Sequence, residues 1–509
     1  MILEPPAETH TALRQRVGWW LGPVLLVAML WLPLPGLTPE AHRLAAVMAL
    51  VITFWVTEAI PLAATALLGP ALCVVLGVGE DKKVLAPFAS PITFLFIGTF
   101  MIAAAMRKYG LDRRMALWLL SKPALAHTPG RLFATLGVLT AALSMWMSNV
   151  ATTAMMLPIA LGALGAWPSL GARREVRSSL VLLIAFAASV GGLGTPVGTP
   201  PNLIGLGAMR ELLGVQISFP QWMALGVPLV LVQTAFLLWW LRPAGPRAGT
   251  APPEAHGGEA AHAALAAQRL ALGPCSTGEK NTIAVFAVAI ALWMIPGLLD
   301  LASGFVSGAA LGQSHPVSAF LSTHFPEETV GLLAGVALLL LPVSWREGRF
   351  TLPWSEAVRI DWGTILVFAG GMALGRQLFD TGLARALGAG TIELLGQPSL
   401  WTLVAAGIVL SILVSEAASN TASATVMVPV MIAVAQSAGV NPVPVALATC
   451  LACSFGFLLP VSTGPNALAY GTGQVTIPDM IRRGFALDLV GAITLFLIFR
   501  LLAPFLGWT

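Results

Sequence analysis

Charged residues are scarce in this chain. Only 10% of its 509 residues are Asp, Glu, Lys or Arg, whereas a soluble globular protein carries about 25%. Hydrophobic residues make up 57% of the sequence, so a water-soluble surface cannot be built around its core. The composition excludes an ordinary soluble protein and predicts a chain embedded in a lipid bilayer.

Cysteine and long basic runs are also lacking. The sequence has four cysteines, and the closest pair, Cys450 and Cys453, lies in an apolar segment without a nearby histidine. This setting favours neither a zinc site nor a disulfide. The net charge of +4 comes from basic residues scattered through short loops. We interpret them as topology signals, and no nucleic-acid partner is expected.

What the sequence does contain is a succession of long apolar runs from Gly18 onward. Each run approaches or exceeds the roughly 20 residues that a helix needs to cross a bilayer. The run that begins at Gly331, GLLAGVALLLLP, does not alternate apolar and polar residues as barrel strands do. The predicted fold class is therefore all-α and polytopic, with about eleven transmembrane helices and two re-entrant hairpins. The first run lacks a signal-peptide cleavage site and is expected to be retained.

The basic residues predict the orientation of the chain in the cell inner membrane. Arg14 and Arg16 precede the first span, which places the N-terminal segment 1–17 in the cytoplasm. Between positions 281 and 345 there is no Lys or Arg, so the acidic loop in that interval should face outward. Arg482 and Arg483 precede the last span, which predicts a C-terminus outside.

Basic clusters also predict a re-entrant hairpin. One cluster lies within 107–131, a second within 173–177, and the apolar block 132–167 lies between them. If both clusters are cytoplasmic, this block enters and leaves the membrane on the same side. Unwound backbone at its tip survives only where protein or a water-filled cavity satisfies its polar groups, which makes the tip a candidate site.

The polar stretch 242–280 divides the chain into two halves. It is rich in Ala, Gly, Pro and His, and we predict a flexible cytoplasmic linker. The first transmembrane half is then 18–241 and the second 281–509.

Three signatures occur once in each half, in the same order. The first is Phe96-Ile97-Gly98 followed by Gly110-Leu111 in the first half, and Phe368-Ala369-Gly370 followed by Gly382-Leu383 in the second. The second is Ser144-x-x-x-Ser148-Asn149 in the first half and Ser415-x-x-x-Ser419-Asn420 in the second. The third is Gly198-Thr199-Pro200-Pro201-Asn202 in the first half and Ser462-Thr463-Gly464-Pro465-Asn466 in the second. Because the halves start from opposite sides of the membrane, the repeat is inverted, as in many secondary transporters. It places a second hairpin at 399–437 and broken helices at about 178–210 and 443–475.

The repeated serines and asparagines suggest two cation sites. Ser144 and Ser148 are four residues apart, so on a helix their hydroxyls share one face, and Asn149 follows where the hairpin can turn. Sodium is a hard cation that prefers hydroxyl, amide and carbonyl oxygens. The alternative is that these side chains only bond across packed helices; the inverted duplication favours the cation sites.

The broken helices suggest an anion site. Pro200 and its neighbours interrupt an apolar helix, and a broken helix directs an N-terminus with free N–H groups and partial positive charge at an anion. Neutral donors would be added by Asn149, Thr199, Asn420, Thr421 and Thr463. Ordinary kinking by Gly and Pro is the alternative.

Two carboxylates lie inside predicted spans, and such residues suggest function. Glu58 could equally cap the turn at Pro61. Glu416 follows Ser415 of the second cation motif, so it could tune that site.

Taken together, these residues resemble the divalent anion:sodium symporter family of dicarboxylate, citrate and sulfate carriers. The resemblance rests on Trp55-Val56-Thr57-Glu58-Ala59-Ile60-Pro61-Leu62, the paired Ser-Asn motifs, the Thr-Pro-Pro-Asn break and the stretch 362–371. It implies a homodimer that works as an elevator. It also implies one sodium at Ser144, Ser148, Asn149 and Gly198, and a second at Ser415, Ala418, Asn420 and Ser462. The substrate would lie against Asn149, Thr199, Pro200, Asn420, Thr421 and Thr463.

The sequence departs from the family pattern at two positions. Val150 replaces the Thr that usually follows Ser-Asn, which removes a donor and should weaken carboxylate binding at that end or indicate a different anion. Gly464 stands where the family usually has Pro.

The predicted function is sodium-coupled symport of a small divalent anion, with a C4-dicarboxylate such as succinate favoured over sulfate. The first alternative is a sodium-independent exchanger of the same fold, which should carry basic side chains in place of the cations; none occurs beside Asn149 or Asn420. A membrane-embedded enzyme or receptor is the other alternative. No nucleophile–base pair, metal cluster or soluble catalytic domain in the sequence supports it.

Overall fold

Helices account for most of the described residues in a computed structural model, which describes residues 7–122, 128–242, 257–307, 315–395 and 398–504. The helices of the first half are α1 Ala7–Trp31, α2 Pro39–Thr57, α3 Leu62–Val75, α4 Asp81–Leu85, α5 Pro91–Tyr109, α6 Leu111–Leu120, α7 Pro129–Ser144, α8 Asn149–Leu164, α9 Pro168–Gly171, α10 Arg174–Gly191, α11 Pro200–Leu213 and α12 Phe219–Trp240. Short 3-10 turns at Ala86–Ala89 and Gly192–Gly194 precede α5 and follow α10.

The second half follows a similar order after one additional helix, without a counterpart of the short α9 among the described residues. Its helices are α13 Gly257–Ala271, α14 Thr277–Ser307, α15 Pro316–His324, α16 Glu327–Leu340, α17 Trp354–Ala357, α18 Trp362–Asp380, α19 Leu383–Leu395, α20 Leu400–Ala417, α21 Asn420–Ser437, α22 Pro442–Ala452, α23 Gly464–Gly471 and α24 Ile477–Leu502. Two short strands, β1 Pro342–Ser344 and β2 Arg349–Phe350, pair antiparallel between α16 and α17.

Seven apolar segments within the described residues are long enough to cross a membrane. They are Pro39–Thr57, Asp81–Tyr109, Arg174–Gly194, Phe219–Trp240, Thr277–Asp300, Leu400–Ala417 and Ile477–Leu502. Shorter apolar helices add to these, and the total of about eleven spans stays a prediction. In the most apolar 18-residue window of Arg174–Gly194, 94% of the residues are buried inside the protein, so α10 runs through the centre of the molecule rather than along the lipid.

Two helix pairs and two interrupted helices occupy the predicted hairpins and breaks. The first pair, α7 and α8, is joined by residues 145–148, and the second pair, α20 and α21, by residues 418–419. The first interruption separates α10 from α11 at residues 192–199, and the second separates α22 from α23 at residues 453–463. Each interruption packs beside the hairpin of its own half.

The linker differs from its predicted flexible form. Residues 243–256 lie outside the described residues, but 257–271 form α13. Its sequence is rich in Ala and Leu, which are strong helix formers. The helix is also held against the end of α6, where the His262 ring contacts the Ser121 carbonyl oxygen at 2.7 Å and Arg269 donates to the Ser121 hydroxyl at 3.2 Å.

Candidate functional site

The first hairpin presents a buried serine to the asparagine at its tip. α7 ends at Ser144, whose side chain is fully buried. Its hydroxyl donates to Asn149 Oδ1 at 2.8 Å. Asn149 is the first residue of α8, and the preceding Ser148 occupies the N-cap position without a capping hydrogen bond from its side chain. The Ser148 hydroxyl is therefore not used to hold its own helix.

The second hairpin repeats this geometry. Ser415, also fully buried, has its hydroxyl 2.8 Å from Asn420 Oδ1 and 2.6 Å from the carbonyl oxygen of Cys453 in the second break. Asn420 begins α21, and Ser419 is again an N-cap without a side-chain capping bond. The same five-residue Ser-to-Asn contact thus forms in both halves.

Each break is braced by an asparagine to which the sequence reasoning assigned no role. Asn202 Nδ2 donates to the carbonyl oxygens of Gly192 and Thr195, both at 2.8 Å. Asn466 Nδ2 donates to those of Gly456 at 2.9 Å and Leu459 at 3.0 Å. In both cases the acceptors lie ten and seven residues earlier in the chain. The signal was the last residue of the repeated break motif, which is Asn in both halves.

Oxygen atoms gather where the first hairpin meets the first break. A Cβ on Gly198 would lie 2.5 Å from the Gly192 carbonyl oxygen and 2.9 Å from that of Met145, and a Cβ on Gly192 would lie 2.5 Å from Asn149 Oδ1. The Thr195 hydroxyl also donates to the Met145 carbonyl. Backbone, amide and hydroxyl oxygens therefore converge here, which is the donor set that a hard cation prefers.

The second half gathers oxygens in the same way. A Cβ on Gly456 would lie 3.3 Å from Asn420 Oδ1 and 3.5 Å from the Ser415 carbonyl oxygen. The Ser462 hydroxyl donates to the backbone carbonyl oxygen of Glu416 in the hairpin at 3.1 Å, as the Thr195 hydroxyl does to that of Met145. The repeat therefore creates two similar oxygen clusters.

Glu416 makes the two clusters unequal. Its Oε1 accepts the backbone N–H of Leu458 at 2.9 Å, and its Oε2 accepts the Ser462 hydroxyl at 2.7 Å. Met145 occupies the equivalent position of the first hairpin, directly after the buried serine. Within the described part of the chain, only the second cluster therefore has a carboxylate fixed beside it by two donors of its own break.

Glu58, the other carboxylate considered above, lies away from this region. It is the left-handed C-cap of α2, with φ 50°, and its carboxylate is 3.2 Å from Arg14. Its position at the end of α2, shortly before Pro61, accords with the turn-capping alternative.

The hairpin tips and the breaks enclose one cavity of about 510 Å³. All six predicted substrate residues line it, namely Asn149, Thr199, Pro200, Asn420, Thr421 and Thr463. Of the predicted sodium residues, Ser148, Gly198 and Ser462 also reach the cavity, in addition to the two asparagines. Ser144, Ser415 and Ala418 are buried and do not belong to its lining.

Four helices begin at this cavity. Asn149, Pro200, Asn420 and Gly464 are the first residues of α8, α11, α21 and α23, and all four line it. The first turns of α8 and α21 contain no proline and offer N–H groups without a partner in their own helices. Prolines at positions 200, 201 and 465 remove such donors from α11 and α23, and the N–H groups of Asn202 and Asn466 donate to Thr199 and Thr463. The dipoles of all four helices add partial positive charge. An anion can be bound here without a basic side chain beside it.

The charged side chains of the described lining lie away from the tips. They are Arg107 near the end of α5 and Asp361 at the N-cap of α18. Thr364, which also lines the cavity, donates its hydroxyl to Asp361 Oδ2 at 2.6 Å. The cavity thus extends from the neutral tips toward one end of the molecule, which the basic-residue pattern predicts to be cytoplasmic.

A family model described as the sodium:sulfate symporter transmembrane region matches residues 17–509. A protein named sodium-dependent dicarboxylate transporter SdcS, from Staphylococcus saprophyticus, is 32% identical over 503 residues, which cover 96% of this chain and 92% of the relative. The protein of the same name from Staphylococcus aureus strain USA300 is 31% identical over 501 residues, covering 96% and 91%.

Two solved structures share the fold at low sequence identity. MtrF of Neisseria gonorrhoeae is 14% identical with a TM-score of 0.54, over 95% of this chain and 96% of that one. The YdaH transporter of Alcanivorax borkumensis is 13% identical with a TM-score of 0.53, over 84% and 88%. At this identity the likeness concerns the fold alone.

Proposed function

Because the chain belongs to the sodium:sulfate symporter family, the divalent anion:sodium symporters that its motifs resemble, we propose that it carries a small divalent anion across the membrane together with sodium ions. The proposed substrate is a C4-dicarboxylate such as succinate, in keeping with the name of the SdcS relatives. The observation that carries the proposal is the convergence of four helix N-termini and two oxygen clusters on one cavity.

The anion is proposed to lie between the two hairpin tips. Asn149 and Asn420 reach the cavity from opposite halves, with Thr199, Thr421 and Thr463 beside them. These groups are neutral, so the substrate's negative charge is balanced by helix dipoles and by the bound sodium ions. A carboxylate held in this way is released when the sodium ions leave, which couples the two movements.

The sodium ions are proposed to occupy the two oxygen clusters. In the first, Ser144 and Asn149 would act with the carbonyls around Gly198. In the second, Ser415 and Asn420 would act with the backbone at Ala418 and with Ser462. Each asparagine also lines the anion cavity, so an amide that binds sodium through Oδ1 can donate to the substrate through Nδ2. Asn420 Nδ2 donates one N–H to the Ser454 carbonyl oxygen at 3.4 Å and has a second N–H to offer.

We propose that the hairpins and broken helices move together as an elevator, and that contacts at the far end of α11 hold them in an inward-facing state. Arg210 pairs with Glu328 of α16, and Glu211 accepts the Ser90 hydroxyl at 3.1 Å and lies 3.8 Å from Arg376 of α18. These contacts fasten the broken helix to its surroundings on the side opposite Arg107. That side is predicted to face outward. A homodimer in the inner membrane stays a prediction.

The test is uptake of radiolabelled succinate, citrate and sulfate into proteoliposomes containing the purified protein. We expect succinate to accumulate under an inward sodium gradient and to fall to the level of protein-free liposomes when choline replaces sodium. Uptake that persists without sodium but requires internal dicarboxylate would favour the exchanger. Accumulation of sulfate without succinate would assign the site to sulfate, and no uptake of any of the three anions would contradict the proposal.

A further inference from the structure

Val150 and Gly464 meet on the wall of the cavity. A Cβ placed on Gly464 would lie 2.4 Å from Val150 Cγ2, which is much shorter than a van der Waals contact and would be a steric clash. Val150 is in the first turn of α8, 44% exposed, and Gly464 is the first residue of α23. Both line the cavity. The methyl group of the first hairpin therefore occupies the space that a side chain at position 464 would need.

The other half of the repeat has different residues at these positions. Thr421 follows Asn420 where Val150 follows Asn149, and Pro200 begins α11 where Gly464 begins α23. Thr421 and Pro200 line the cavity as well. One side of the cavity is therefore bounded by a hydroxyl, and the equivalent position on the other side is bounded by a methyl group.

Valine at position 150 cannot easily move away from a side chain at 464. A β-branched valine in a helix is restricted to one strongly preferred χ1 rotamer, whereas threonine divides between two. Since Val150 lies in α8, its Cγ2 is a fixed part of the cavity wall. The two residues must therefore match each other in size.

We propose that Val150 and Gly464 act as one specificity-determining unit within the substrate site, an inference that rests on the proposed function. The unit makes one wall of the cavity apolar, so it contacts the methylene edge of the anion and offers no partner to a hydroxyl. It selects unsubstituted C4-dicarboxylates over their 2-hydroxy counterparts, because a hydroxyl directed at this wall loses its hydrogen bonds to water without replacement.

The contact is tested by a double-mutant cycle in the succinate uptake assay. Gly464→Ala is expected to reduce kcat/KM by about tenfold or more through overpacking, and Val150→Ala in the same protein is expected to recover most of it. Gly471→Ala is the matched control, because it lies in the same helix and a Cβ there meets no atom within 4 Å. Wild-type kinetics in Gly464→Ala, or no recovery in the double variant, would overturn the pairing.

The selectivity is tested with Val150→Thr, which keeps the shape and adds a hydroxyl. The ratio of kcat/KM for succinate to that for malate is expected to fall by about 3- to 10-fold, the value of one hydrogen bond. An unchanged ratio would overturn the specificity role. Neither outcome depends on which substrate the wild type prefers most. Absence of sodium-driven uptake by the wild-type protein would instead contradict the proposed function.

Discussion

Asn420→Ala is expected to abolish sodium-driven succinate uptake while leaving a folded protein. The side chain accepts from Ser415 through Oδ1 and reaches the cavity, so it is proposed to contact both a cation and the anion. A hydrogen bond to a charged partner contributes about 1.5–3 kcal/mol, and the amide oxygen that coordinates the sodium ion is lost as well, so kcat/KM should fall at least about 100-fold. Initial uptake rates over a range of succinate and sodium concentrations measure this loss.

Asn441→Ala is the control for Asn420→Ala. Asn441 is also an asparagine at a helix start, and its Oδ1 accepts the Val443 N–H at 3.0 Å as the cap of α22. It does not belong to the cavity lining, so uptake should stay near the wild-type rate. Comparable yields and elution profiles of both variants in detergent would show that folding is not the cause. Near-normal uptake by Asn420→Ala would remove this residue from the site.

Asn420→Asp separates the two proposed roles of the amide. Aspartate retains the acceptor that faces Ser415 and adds a negative charge, which favours a cation and repels the anion. Sodium-dependent thermal stabilisation of the purified protein should therefore persist in this variant, whereas succinate should add no further stabilisation. Undiminished stabilisation by succinate would show that the amide does not face the anion.

The inverted repeat explains why so much of the site could be predicted from sequence. Ser144 and Asn149 are five residues apart, and their contact follows from helix geometry and one short turn. The break motifs contain Pro and Gly, which end helices for local reasons. A motif that depends on local geometry and is present in both halves of the repeat can therefore be assigned to the site from sequence. All six predicted substrate residues line the cavity.

The features that the sequence could not predict are contacts between distant segments. Asn202 was visible in the break motif, but its two carbonyl acceptors depend on how the break folds back. Val150 and Gly464 were each recognised as departures from the family pattern, yet they are separated by over three hundred residues of sequence. A pattern read along one chain cannot show that two such positions touch.

Glu416 has the other large expected effect, and the asymmetry of the repeat supplies the reason. Its carboxylate accepts from Leu458 and from Ser462, a proposed sodium ligand. Removing it leaves the Ser462 hydroxyl with only the backbone carbonyl of residue 416 as an acceptor. It also leaves a backbone N–H of the break without its acceptor and withdraws negative charge from beside the second sodium ion. Each loss weakens cation binding in the second half, whereas the first cluster, with Met145 at this position, is untouched.

Glu416→Ala is accordingly expected to raise the sodium concentration for half-maximal succinate uptake by about tenfold or more, the value of one charge-assisted hydrogen bond of about 1.5–3 kcal/mol. Glu416→Gln, which retains an acceptor for Leu458 but not the charge, should fall between Glu416→Ala and the wild type. Glu80→Gln is the matched control, since Glu80 is exposed and pairs only with neighbouring Lys83 among the described residues. If the sodium dependence of Glu416→Ala equalled that of the wild type, the second cluster would not need the Glu416 carboxylate.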